Sequence, residues 1–233
     1  MAERPIYVPK AEGALLVETT SVDFQWFPGM ASSQKQKSIA SLHESALERR
    51  LCLAPLEVSS KSEVELGVAL SAFNLEVTTK KHNRTFTVET AYQSSKAFQN
   101  GGPFTDLLFG TSLAAKKDPR LKESGLLKEF VFFGDRWPLE PKTAFYDWIY
   151  LNALHCNLWA VQELTAFDAF TDIEFNPKKS INCQAYAVAL YRSLQSRGLI
   201  QDVIGDSKAY VDIVSSFSVN NAQENTDVQP RLV

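Results

Sequence analysis

The sequence has little of several things, and each scarcity removes a class of protein. Three cysteines, Cys52, Cys156 and Cys183, stand among 233 residues. They form no Cys-x-x-Cys spacing and no cluster with histidine, so neither zinc nor a disulfide framework is expected. No apolar run approaches the roughly 20 residues of a membrane span, and the N-terminus carries no secretory apolar core. With the odd cysteine count, these absences predict a reduced, cytoplasmic protein with no membrane partner. An excess of one charge sign is also missing. Lys and Arg total 24 against 27 Asp and Glu, a formal net charge of −3, so no global basic field draws the chain to nucleic acid. Any nucleic-acid contact has to be local.

What is present is apolar material, 45% of the residues against 22% charged, enough for one sizeable core and one domain. Residues 4–27 read as two or three strands: Ile6-Tyr7-Val8, Leu15 to Glu18, and Val22 to Trp26 with period-two alternation. Pro28-Gly29 breaks the run, and from Ser32 the apolar positions Ile39, Leu42 and Ala46 recur at helical spacing. Lys35 and Lys37 fall near that helix start, where cations oppose the helix dipole. Either they sit in a solvated loop, or the Gln-Lys-Gln-Lys stretch presents free backbone N–H groups as an anion cradle for phosphate or a reactive sugar. A polar, proline-containing connection over 51–62 follows.

Residues 75–87 read as a hairpin turning at Lys81-His82-Asn83-Arg84, with His82 a surface residue. It feeds a predicted helix from Thr87 to Phe98. Thr87 suits the N-cap, and Glu89 sits in the first turn, where an anion is favoured. At about 100° per residue, Glu89, Gln93 and Lys96 share a stripe beside Val88, Ala91, Tyr92 and Ser95. Such a stripe is ordinary on a solvated face. Asn100-Gly101-Gly102-Pro103 reads as a helix stop, and the charged stretch from Lys116 to Lys122 as an exposed loop, or else a local basic patch.

Phe130 to Phe133 is β-prone, and Trp137 to Pro141 is a rigid bend before a long buried helix over 142–161, in which His155 and Cys156 pack. Asp168, Asp172 and Glu174 offer acids for an active-site rim. Asn176 as cap and Pro177 at the first position predict a helix that Gly198 ends, with Asn182 near its start as a substrate anchor and Cys183 a small core residue. The polar tail after about Ser215 reads as frayed. The sum is an α+β, helix-dominated fold with small N-terminal strands and a β-hairpin packed on a helical core.

Leu70-Ser71-Ala72-Phe73, followed after the hairpin by Thr87-Val88-Glu89-Thr90-Ala91-Tyr92-Gln93-Ser94-Ser95-Lys96-Ala97-Phe98, resembles the signature of the NADAR family. The family's usual form is Ser-Asn-Phe, then Glu-His-x-x-Gln-x-x-Lys-Phe. Here Ala72 stands for the Asn, Thr90 for the His, and Ala97 separates Lys96 from Phe98. The departure at Thr90 removes any role for a family histidine. The resemblance covers residues 62–198, most specifically 70–98. It divides the chain into N-terminal strands and a basic element (1–61), a NADAR-like core (62–200) and a C-terminal extension (201–233). Pro28–Ile39, Trp137–Trp148 and Ser180–Ala185 look like the branch that accompanies DarT-type DNA ADP-ribosyltransferase toxins as antitoxins.

That resemblance implies a hydrolase, needing no cofactor or metal, that removes ADP-ribose from the guanine amino group of DNA. Its partners would be ADP-ribosylated guanine, ADP-ribose and a DarT-type toxin. Cutting the N-glycosidic bond passes through an oxocarbenium-like state, which gives Glu89 the part of charge stabiliser or water aligner. Lys35 and Lys37 rank ahead of Lys96 as proton donor or Schiff-base nucleophile, because Lys96 is expected to be the ion-pair partner of Glu89. Trp26, Ser71, Phe73, Tyr92, Gln93, Lys96, Asp172 and Asn182 complete the substrate-binding set, although each aromatic also suits the core. Two alternatives stay open: an N-glycosidase on small riboside phosphates, and a non-catalytic antitoxin that binds ADP-ribose or the toxin. The Trp-Gly-Asp segment of the small-riboside relatives is absent, which favours the antitoxin branch.

Overall fold

The computed structural model describes residues 1–79 and 83–218. Strands β1 (Ala2–Pro9) and β2 (Val17–Phe24) pair antiparallel along their whole length. Their inward residues Ile6, Val22 and Phe24 pack on Ile39, Leu42 and Ala46 of α1 (Ser32–Glu48), so the three-and-four spacing read in α1 is its buried stripe. Lys35 and Lys37 therefore lie within a helix and not in a loop. The Lys35 N–H is bonded to the Ala31 carbonyl, and the expected cradle of free lysine N–H groups does not exist. The connection over 51–62 contains strand β3 (Pro55–Glu57).

Helix α2 (Glu65–Ala69) leads to strands β4 (Glu76–Thr78) and β5 (Thr85–Thr87), which form the expected hairpin. Lys80 to His82, and with them the reading of His82, lie outside the described residues. Thr87 caps α3 (Val88–Ser94) in a reciprocal box with Thr90. The helix stops at Ser94 and not at Phe98. The hydroxyls of Ser94 and Ser95 both bond back to the Ala91 carbonyl, a competition that weakens a helix end. Lys96–Phe98 then becomes strand β6, with Val131 N–H bonded to the Ser95 carbonyl.

The Gly101-Gly102 pair closes this strand, where a helix end was expected. Phe98 N–H bonds the Gly101 carbonyl at 2.7 Å. Gly102 has φ +82°, and a Cβ there would lie 2.4 Å from the Lys96 carbonyl oxygen, so only glycine fits. The expected charged loop is instead the end of α4 (Ser112–Lys117) and a short α5 (Arg120–Glu123). Strands β7 (Leu127–Phe132) and β8 (Asp135–Trp137) complete a sheet ordered β6-β7-β8.

The predicted long helix is two. Helix α6 (Ala144–Cys156) ends at Asn157, whose side chain accepts the Ala160 N–H and starts α7 (Leu158–Glu163). Cys156 is exposed, not packed, while His155 Nδ1 lies 2.9 Å from the Tyr191 hydroxyl. Strand β9 (Ala169–Thr171) sits between β1 and β3, giving the order β2-β1-β9-β3. Helix α8 (Gln184–Ser196) begins at Gln184 and not at Pro177, where the Asn176 reading placed it. Asn176 instead closes a turn, its Oδ1 accepting the Lys178 N–H. Gly198, at φ +72°, does end α8. Helices α9 (Ile200–Val203) and α10 (Ser207–Ser215) follow; of the tail read as frayed after about Ser215, Ser218 N–H is bonded to the Ala14 carbonyl at 2.9 Å, and residues 219–233 lie outside the described set. The main core forms where Tyr150, Leu151 and Leu154 of α6 meet Val188, Tyr191 and Leu194 of α8. The fold is α+β and helix-dominated, with small sheets.

Candidate active site

The two halves of the sequence signature meet through backbone. Glu89 N–H donates to the Ala72 carbonyl at 2.9 Å, and Val88 N–H to the Leu75 carbonyl at 3.0 Å. The segment from Ser71 to Leu75 thus satisfies first-turn donors of α3 that the helix cannot satisfy itself. Gln184, the first residue of α8, ties in a third segment: its Oε1 accepts the Ala72 N–H at 2.8 Å and its Nε2 donates to the Val58 carbonyl at 2.6 Å. These ties enclose a cavity of about 560 Å³.

Glu89, Tyr92 and Gln93 from α3 and Lys96 from β6 form its buried wall. Gln93 Nε2 donates to Glu89 Oε1 at 2.8 Å. Lys96 is 4% exposed, with Nζ 4.7 Å from the Tyr92 ring centre. Burial lowers the Lys96 amine to about 8; the Glu89 carboxylate pulls it up and Lys116 pushes it down. No ion pair joins Lys96 to Glu89 among the described residues, so the amine is not neutralised by a direct contact.

The facing wall carries Asp172 just beyond β9. Its Oδ1 accepts the N–H groups of Glu174 and Phe175. Behind it, Glu57 is wholly buried and accepts from Ser59 Oγ (2.6 Å), Thr171 Oγ1 (2.7 Å) and Ile173 N–H (2.8 Å). Burial pushes the pKa of both carboxyls up, the Asp172 charge adds to the effect at Glu57, and the Glu174 charge adds to it at Asp172. Since Thr171 donates its hydrogen to Glu57, His43 Nε2, 2.8 Å from the same oxygen, is the N–H donor. Burial lowers His43 to about 4, leaving a neutral ring.

The sequence readings divide accordingly. Ser71, Phe73, Glu89, Tyr92, Gln93, Lys96, Asp172 and Asn182 all line one cavity. Trp26, Lys35 and Lys37 do not. Lys35 lies 3.0 Å from Glu174 and 4.7 Å from the Trp26 ring centre, so the pair supports the cavity edge from outside. Lys37 is exposed on α1. Sequence reasoning passed over Lys61, Lys179 and Gln184 as site residues, and Glu57 behind the cavity; Lys116, read as part of an exposed loop or a local basic patch, lines the cavity with the first three. An acid in the otherwise apolar Pro55-Leu56-Glu57-Val58 was the one available signal for Glu57.

A model of the DarT1-associated NADAR antitoxin family matches residues 2–224. The chain belongs to that family. The match extends well beyond 62–198, and takes in the N-terminal strands, α1 and α10. No curated protein matches the chain. Among the described residues of this NADAR chain, no helix is long and apolar enough to cross a membrane, and no group of His, Cys, Asp and Glu is placed to hold a metal ion.

Proposed function

We propose that the protein is a cytoplasmic hydrolase that removes ADP-ribose from the guanine amino group of DNA, undoing the modification made by its associated toxin. The observation that carries this reading is a buried carboxylate, Glu89, and a buried amine of lowered basicity, Lys96, on one wall of a cavity in a NADAR chain. In this reading the bond between the guanine nitrogen and ribose C1″ breaks. Glu89 stabilises the positive charge at C1″ and takes a proton from the incoming water. Lys96 protonates the departing nitrogen, so water is divided between amine and sugar. Lys96 replaces Lys35 and Lys37 in this part because it is the one of the three that lines the cavity.

Lys116 and Lys179 are exposed residues of the lining and so mark its open side, with Lys61 half-buried beside them. They are suited to the pyrophosphate and to the DNA backbone, as a local basic edge on an acidic protein. Phe73, with Lys116 Nζ 4.9 Å from its ring centre, offers a face for a base, and Asp172 an acceptor for sugar hydroxyls.

Incubation with DNA carrying ADP-ribosyl-guanine, followed by product analysis, tests the reading. Release of ADP-ribose with restoration of guanine is expected. Intact modified DNA after long incubation would overturn it and leave a binding antitoxin; base release from free riboside phosphates, with none from DNA, would replace it by a small-molecule N-glycosidase.

A further inference from the structure

A second groove, of about 650 Å³, lies at the other end of α4 from the cavity and takes no part in the chemistry described so far. Its walls include aromatic rings turned to solvent. Phe109 is 37% and Phe133 68% exposed, and each packs on the buried Phe86, at 6.4 and 6.1 Å between ring centres. The Arg84 guanidinium carbon lies 3.3 Å from the Phe109 ring centre, so the cation covers one face of that ring. Phe133 occupies its place against the preference of its backbone. With Gly134 it forms the two-residue turn between the paired Phe132 and Asp135, at φ +49° and +98°, a turn that favours Asn-Gly. A bulky side chain is strained in that left-handed region, and so exposed a ring gains little burial in return. Folding alone does not account for it.

We infer that this groove takes an unpaired base of the DNA strand flanking the modified guanine, stacked against Phe133 and the Arg84–Phe109 pair. The substrate is then single-stranded on that side. The inference rests on the function proposed above and extends its cavity outward. Charge selects the occupant. Asp106, the acid of the lining, has its two carboxylate oxygens on Arg120, at 3.2 and 2.7 Å. Arg84 at the groove, and the exposed Lys116 and Lys117 on α4, make no ion pair among the described residues. The uncommitted charge is therefore positive, as a phosphate backbone requires, and aromatic faces accept any base. Helix α4 joins the two openings: Phe109 and Gly110, just before it, line the groove, and Lys116 in its last turn lines the cavity. Its six residues at roughly 1.5 Å each cover about 9 Å, or about three base steps of ~3.4 Å. A base inside a duplex is already paired and stacked, so an unpaired one is what the groove admits.

Fluorescence anisotropy with a labelled, unmodified oligothymidylate, and with a base-free phosphodeoxyribose strand of the same length, tests the groove apart from catalysis. The wild type is expected to bind the oligothymidylate about tenfold or more tightly than the base-free strand. Phe133→Asn should weaken oligothymidylate binding by about five- to tenfold while the melting temperature rises, because asparagine suits the turn. A ring that served packing alone would not move the two in opposite directions. Arg84→Met, which keeps an apolar cover on Phe109, should weaken binding and lower the salt slope by about one. In both variants, release of ADP-ribose from modified guanosine monophosphate should match the wild type, and release from a modified oligonucleotide should fall. Equal wild-type binding of the two strands, or unchanged strand binding in Phe133→Asn, would overturn the stacking groove and leave the proposed function standing. Unchanged strand binding with weakened capture of the associated toxin would overturn it in favour of a protein partner. No release from either modified substrate by the wild type would overturn the proposed function, and the anisotropy would still decide whether the groove binds a strand.

Discussion

Gln93 Nε2 lies 2.8 Å from Glu89 Oε1 across one turn of α3, a helix of which every residue is buried. The carboxylate is thereby held in one orientation without a cation in direct contact. A glutamine at position 89 keeps the shape and can still pair with the Gln93 amide. Glu89→Gln is expected to lower ADP-ribose release by about 10²–10⁴-fold while the melting temperature moves by only a few degrees. Release assays alongside thermal melts check this; retained turnover in a folded variant would remove Glu89 from the chemistry.

Lys96 should set the alkaline limb of the pH–rate profile. Its amine titrates at about 8, so as an acid it is lost when pH rises through that value, and the rate should fall there. Lys96→Met should abolish that limb with most of the activity. Its folded value lies below the ordinary lysine value of 10.5, so folding is penalised as pH falls through about 8, and the penalty persists at lower pH. Lys96→Met should therefore gain more stability at pH 6 than at pH 9, on the order of a few kcal/mol, measured by urea denaturation. Borohydride treatment with substrate should trap no lysine adduct; an adduct at Lys96 would make it the nucleophile instead.

Asp147, in the first turn of α6, is buried with Oδ1 unpartnered. Burial pushes it up to about 7, partly offset by a hydrogen bond with Thr143. A raised carboxyl contributes stability that is present below its unfolded value and is lost as pH rises through about 7. Asp147→Asn should flatten the fall in stability between about pH 5 and pH 8 by a few kcal/mol. Denaturation curves at both pH values decide; an unchanged slope would assign the fall to Glu57 and Asp172.

Gly102→Ala should damage the site from behind. Its Cβ would meet the Lys96 carbonyl oxygen at 2.4 Å in a backbone with φ +82°, so β6 has to move, and Lys96 with it. A loss of about 1–3 kcal/mol is expected, with catalysis falling further than the unfolded fraction explains. An alanine variant with full activity and stability would show that β6 is not fixed there.

Much of the fold was legible where the signal is local. Period-two alternation gave the N-terminal strands, three-and-four spacing gave α1, and Gly198 marked the end of α8. Helix ends were misread where side chains compete with the backbone. Ser94 and Ser95 bond back to Ala91, Asn157 starts a new helix, and Asn176 closes a turn instead of capping α8. Each residue type permits either outcome, and the neighbours in space choose.

By itself the sequence determined the signature Ser71-Ala72-Phe73 and Glu89 to Phe98, hence the family and the acid, amide and amine that the cavity wall carries. It could not determine that the wall is buried, because a stripe of Glu, Gln and Lys looks the same on a solvated helix. The tertiary structure decided that by laying Ala72, Gln184 and Asp172 across it. It also decided which lysine faces the carboxylate's cavity, bringing Lys96, Lys61, Lys116 and Lys179 there and leaving Lys35 and Lys37 on α1 outside. Those choices depend on contacts between segments a hundred residues apart, which no local spacing records.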